Sequence, residues 1–321
     1  MKRYLAQIAL VAAIALALVA SLFSDRLDLY SLDIAIAVGI NITLAVSLNL
    51  VNGHTGQFSL GHAGFMAVGA YGSALVTLEL GPRLAAILGS GVFGTGLVFL
   101  LALLAGGICA AICGWLVGVP SLRLRGDYLA IVTLGFNEII RVILQRTKAD
   151  GPFGGALGLK GIPENTSLFW AFAIAAVTIY VTSCMVNSTY GRGFLAVRDD
   201  EVAGESMGIN TVRYKVTAFV VGAFFAGLGG GLFAHQKTTI SPAGFDFMKS
   251  VDIVIMVILG GMGSTPGVVL AAIGLTVLNE HLRDYEQNRM IIFSLLLIVM
   301  MIVRPQGLLP PTLFQNRRKS A

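Results

Sequence analysis

The sequence predicts an all-α fold: a polytopic transmembrane helical bundle of about ten membrane segments, some of them broken or short. Three observations carry that prediction. Hydrophobic residues make up 56% of the 321 and charged residues only 12%, against about 25% charge in a water-soluble globule. Mean hydropathy is +0.82. The apolar residues gather in repeated runs close to the roughly 20 residues a helix needs to cross the hydrocarbon layer. No compositional break divides the chain, so 1–321 reads as one membrane domain.

The segments follow in order. Lys2 and Arg3 precede an apolar run from Leu5 to Phe23. This pattern fits a secretory signal peptide, but the run is longer than a usual signal core and more spans follow at once, which favours an uncleaved first helix. Further spans fall at 33–52, 57–78, 84–119, 127–146, 167–186, 214–235, 248–260, 267–282 and 289–303. The run 84–119 is too long for one upright crossing: it is tilted, broken near Gly106 and Gly107, or two segments. The runs on either side of 260–267 are short for a full crossing.

Counting ten crossings from a cytoplasmic N-terminus returns Arg317, Arg318 and Lys319 to the cytoplasm, with Arg123, Arg125, Arg192, Arg198, Arg213 and Lys215. Twelve basic residues then lie inside and nine outside, the direction of the positive-inside bias. The net charge of +5 and pI near 9.2 therefore belong to loops facing an anionic leaflet and not to nucleic-acid binding. Cys109, Cys113 and Cys184 lie in apolar runs with no histidine or acid nearby to complete a metal site, and read as small packing residues. Ala218, Gly222, Ala226 and Gly230 recur every fourth position, a smooth stripe that lets another helix approach closely.

Two segments interrupt the apolar pattern with polar and glycine residues. The first runs from Ser47 to Phe65 and holds Asn49, Asn52, His54, Gln57, Ser59 and His62; the second is LGGMGSTPG, from Leu259 to Gly267. Unwound backbone at membrane depth is tolerated only where protein or a watery cavity satisfies it. Such breaks in both halves of a chain point to a central pathway and to an inverted repeat. His54 and His62 have no carboxylate nearby, and ordinary hydrogen bonding suits them better than metal or proton transfer.

In the span 127–146, Thr133, Asn137, Arg141 and Gln145 fall four apart and are expected on one face. Glu138 stands three residues before Arg141, near enough to neutralise it. Ionisable groups in a span face the bundle interior or a water-filled cavity. Two readings stay open: the pair meets the ammonium and carboxylate of a zwitterion, or it is a self-satisfied structural pair. Residues 187–214 form the longest charged stretch, with a short helix expected over Val202–Met207 and ended by Gly208.

These stretches together resemble the branched-chain amino acid ABC permeases of the LivM type. The resemblance rests on NLVNGHTGQFSLGHAGFMAVGAY at 49–71, LRLRGDYLAIVTLGFNEIIR at 122–141, GRGFLAVRDDEVAGESMGIN at 191–210, AFVVGAFFAGLGGGLFA at 218–234, ILGGMGSTPG at 258–267 and RPQGLLP at 304–310. It implies a multi-pass protein of the bacterial inner membrane, both termini cytoplasmic. The partners implied are a second related permease, two ATP-binding cassette subunits and a periplasmic binding protein. ATP and Mg belong to those partners, since the chain has no GxxxxGK[ST] phosphate loop, and it is a transport subunit rather than an enzyme.

On this resemblance 187–214 is the coupling loop to the ATPase, through Arg198, Asp199, Asp200, Glu201, Glu205 and Gly208, although the family's strict EAA spelling is absent. The pathway is expected at Gly53, Gly56, Gln57, Ser59 and His62, at Thr133, Asn137, Glu138 and Arg141, and at Gly260 and Gly261. Urea and amide importers share the motifs and remain alternatives for the substrate. An ion-coupled secondary transporter would need mid-membrane acids, for which the chain offers chiefly Glu138 and Asp252. An intramembrane enzyme would need a nucleophile with a base, or a metal cluster; the sequence shows neither.

Overall fold

The computed structural model describes residues 2–22, 28–88, 91–122, 128–149 and 151–282, and near the C-terminus 291–292, 294–295, 298–299, 302–304 and 307–309. Its helices are α1 (Lys2–Leu22), α2 (Leu29–Asn49), α3 (His62–Leu75), α4 (Gly81–Leu88), α5 (Val92–Ser121), α6 (Tyr128–Arg146), α7 (Leu168–Val186), α8 (Thr189–Asp199), α9 (Glu201–Ser206), α10 (Thr211–Lys237), α11 (Phe247–Gly260) and α12 (Thr265–His281). α2 continues through a wider π-type turn, Leu50–His54, and α3 through another, Val76–Leu80.

Among the described residues six helices are long and apolar enough to cross a membrane: Leu29–His54, His62–Arg83, Gly94–Ser121, Tyr128–Arg146, Leu168–Val186 and Thr211–Lys237. α11 and α12 have only 14 and 17 residues. They pack side by side as a hairpin, so the two short runs of the sequence are a helical pair about one tight turn. Of the expected last span, 289–303, residues 291–292, 294–295, 298–299 and 302–303 are described and helical, while Arg123, Arg125 and the basic tail at 317–319 lie outside the described residues. The long run 84–119 is resolved into α4 and α5. Gly106 and Gly107 do not break α5; a Cβ at Gly106 would lie 2.5 Å from the Gly69 carbonyl of α3, and one at Gly107 2.9 Å from Phe224 of α10. These glycines mark close helix approach.

α10 is the central helix and packs on α2, α3 and α5. The four-residue stripe read from the sequence lies buried: a Cβ at Gly222 would meet Val51 at 2.9 Å, and one at Gly230 would collide with the Met66 carbonyl. Close backbone approach of this kind supplies van der Waals packing where lipid is as apolar as the side chains. Leu44, Leu48, Met66, Phe99, Leu103, Phe219 and Leu232 fill the core around it. The outward face of α5 is apolar throughout its middle, with Leu101, Ile108, Ile112 and Trp115 exposed, as a lipid-facing helix requires. Cys109 and Cys184 are also exposed, so these two are outer-face residues and not the packing residues expected.

Contacts fix two ends of the bundle. At one, Lys237 closing α10 pairs with Asp33 opening α2 (Nζ–Oδ2 2.9 Å), and Leu159–Lys160 forms a two-residue antiparallel ribbon with Thr239–Ile240. At the other lie α8, α9, the end of α2 and the turn between α11 and α12.

Candidate functional site

The polar segment after α2 is a buried connection that turns the chain back into α3. Residues 56–61 have no regular secondary structure, and three amides here and at the start of α3 bond to side chains of the bundle. Asn52 Oδ1 accepts from the Ser59 amide (3.2 Å), Thr133 Oγ1 of α6 accepts from the Leu60 amide (3.1 Å), and Ser250 Oγ of α11 accepts from the Ala63 amide (3.0 Å). His62 Nε2 shares a 2.8 Å hydrogen bond with Ser47 Oγ, the ordinary bonding expected of it. Gly61 and Gly64 let α6 approach: a Cβ at Gly61 would lie 2.5 Å from the Thr133 carbonyl, and one at Gly64 3.1 Å from Asn137 Oδ1.

Several side-chain atoms are buried without a hydrogen-bond partner in the protein: both amide atoms of Gln57, both of Asn137 and, at the end of α2, Nδ2 of Asn49 and Nε2 of His54. Each such group costs about 1–3 kcal/mol in lost hydration. The Gln57 and Asn137 amides belong to the α2–α3 connection and to the face of α6 that meets Gly64.

α6 carries the stripe expected on one face. Thr133 and Asn137 are buried, while Arg141 and Gln145 further along the same stripe are partly buried. Arg141 donates to Glu138 Oε2 from Nη2 (2.6 Å) and Nε (2.8 Å). This pair is part-exposed beside Ile131, Ile139 and Ile143, all of them exposed. The second glycine segment caps the α11–α12 hairpin. Gly261 and Gly263 have φ of +101° and +84°, conformations that glycine alone adopts without strain. Gly260 packs on Val268 and Gly267, leaving no room for a Cβ. The Leu308 amide donates to the Leu259 carbonyl (2.9 Å).

The charged stretch 187–214 is two short helices rather than a loop. Asp200 caps α9, its Oδ1 accepting from the Val202 (2.9 Å) and Ala203 (3.1 Å) amides. Gly208, at φ +80°, ends the turn as expected. Glu201 and Glu205 reach back to α10: Lys215 Nζ meets Glu201 Oε1 at 2.5 Å, and Thr211 Oγ1 donates to Glu205 Oε1 at 2.8 Å. Outward stand Val202 and Met207, 57% and 83% exposed, flanked by Asp199. α8 seats on the bundle through buried Phe194 and Val197.

Comparison with known proteins places this geometry. Residues 30–304 match the model of the family described as branched-chain amino acid transport system / permease component. The chain belongs to this family. It is 37% identical over 300 residues to the high-affinity branched-chain amino acid transport system permease protein LivM of Escherichia coli K12, covering 84% of this chain and 67% of that one. Against LivM of Salmonella typhimurium it is 36% identical over 322 residues, 90% and 72% of the two chains. A shorter match, 30% over 140 residues, 43% and 44% of the chains, joins it to LivH of E. coli K12. No solved structure matches.

Sequence reasoning did not single out Ser250, Gly64, Gly263 or Lys215 for function. Ser250 and Gly263 acquire their roles only when distant helices meet. Lys215 carried a legible signal, a cation just inside a span that must find a carboxylate.

Proposed function

We propose that this chain is the membrane-spanning permease subunit of an ATP-driven importer that carries leucine, isoleucine and valine across the bacterial inner membrane. The observation that carries the reading is the family match along 30–304 on a bundle that holds a buried, under-satisfied polar seam and presents an α8–α9 knob at one end. A binding protein delivers the amino acid at the Asp33–Lys237 end, and the knob faces the cytoplasm, as the basic clusters of the sequence favour. Two ATP-binding subunits, which hold the ATP and Mg, dock on α9 through Val202 and Met207.

A second, related permease stands beside α6. An ion pair in the middle of a span is costly against lipid, and protein or water on that side suits Glu138 and Arg141 better. Between the two permeases, Gln57 and Asn137 offer amide donors and acceptors to a passing amino acid. Closure of the ATP-binding subunits moves the knobs, and the seam opens to one side and then the other.

The test is uptake of labelled leucine and labelled urea into proteoliposomes holding the complex and its binding protein. ATP-dependent leucine uptake without urea uptake is expected; urea uptake alone overturns the substrate, and leucine uptake by this chain alone without ATP overturns the importer.

A further inference from the structure

The two glycine turns meet a single side chain of α8, that of Arg198. A Cβ at Gly56, whose φ is +70°, would lie 2.8 Å from Arg198 Cγ and 3.3 Å from its Cα. A Cβ at Gly263 would lie 3.4 Å from Arg198 Nη1 and 3.2 Å from the Gly53 carbonyl oxygen. Gly53 itself presses on the Gly263 backbone so closely that no Cβ fits, and Asn49 Oδ1 accepts from the Gly263 amide at 2.8 Å. The end of α2, the α11–α12 turn and the last turn of α8 are therefore one packed knot. Nε and Nη2 of Arg198 donate to Asp199 Oδ1, 3.1 Å each, which holds the guanidinium flat and leaves Nη1 on the Gly263 side.

We propose that Arg198 is a positioning residue that carries movement of α8 and α9 directly into both glycine turns, so that the α2–α3 connection and the α11–α12 tip shift together with the knob. The sequence suggested Arg198 as a contact for the ATPase; the geometry adds its contact with both glycine turns. Both turns hold left-handed backbone, at Gly56 and Gly263, that admits only glycine without strain, and the close contact of Gly53 with Gly263 joins them. The Arg198 stem lies against Gly56 and its Nη1 end beside Gly263, so one part-exposed side chain bears on both turns. The inference rests on the reading of α8–α9 as the entry point for ATP-driven movement.

The test uses the full complex in proteoliposomes. With Cys109, Cys113 and Cys184 replaced by serine, spin labels at R192C and M262C report the separation of α8 from the α11–α12 tip, nucleotide-free and ATP-trapped. Intact Arg198 is expected to keep that separation the same in both states. R198A should make it differ between the states or broaden it, with R198K intermediate. R198A should also lower leucine uptake about tenfold, within the usual range of coupling effects, while ATP-binding subunits still co-purify and hydrolyse ATP. Separations in R198A identical to those of the intact complex in both states overturn the proposal. So does loss of the ATP-binding subunits from R198A, which makes Arg198 a docking contact. A photo-crosslinking amino acid at position 207 of the complex with Arg198 intact tests the earlier reading separately, by its adduct with the ATP-binding subunit, so failure of the two is told apart.

Discussion

Asn137 shows how far single residues could be read. The sequence marked it by four-residue spacing with Thr133, and both are buried where α6 meets the α2–α3 connection. Arg141 and Gln145 continue that stripe at lower burial, because a step of four residues overshoots a full turn by about 40° and the stripe drifts toward the edge of its face. Asn137 keeps both amide atoms buried with no partner in the protein, so an apolar side chain there removes two groups that need one. Replacing it by leucine is therefore expected to leave the thermal midpoint unchanged or raise it by about 1 kcal/mol equivalent, while leucine uptake falls several-fold. Thermal scans in detergent read the first and proteoliposome uptake the second; unchanged uptake would remove Asn137 from the pathway.

Between elements, the decisive link joins α9 to α10. Lys215 is 5% exposed, and its ammonium is paired with Glu201. Breaking one side of a buried pair costs about 3–5 kcal/mol, because the other charge is left uncompensated. E201A is expected to loosen the knob, lowering the thermal midpoint and uncoupling ATP hydrolysis from leucine uptake, whereas the exchange E201K with K215E recovers much of both. An exchange no better than the single change would show that Glu201 acts on something other than Lys215. The short helix was legible at 202–207 from its stop at Gly208, and the structure adds the cap, Asp200, that starts it at 201. Its clamp was not, since Glu201 and Lys215 are 14 residues apart and meet only through the turn between α9 and α10.

Across the whole molecule, hydropathy located the helices but not their depth or partners. The first polar break proved to be a buried return at the α8–α9 end, and the second the tip of a helical hairpin packed on it. Length alone could not separate α4 from α5, because glycine serves close packing at Gly106 and Gly107 and not a bend. What the assembled bundle adds is a line of contact: an exposed apolar knob at α9, clamped to the central α10 and wedged through α8 against both turns. That knob is the surface on which the account stands, and Met207 is its most open large side chain. A photo-crosslinking amino acid placed at position 207 of the complete transporter tests it most directly. The account predicts an adduct with the ATP-binding subunit; an adduct with lipid or with the periplasmic binding protein would contradict it.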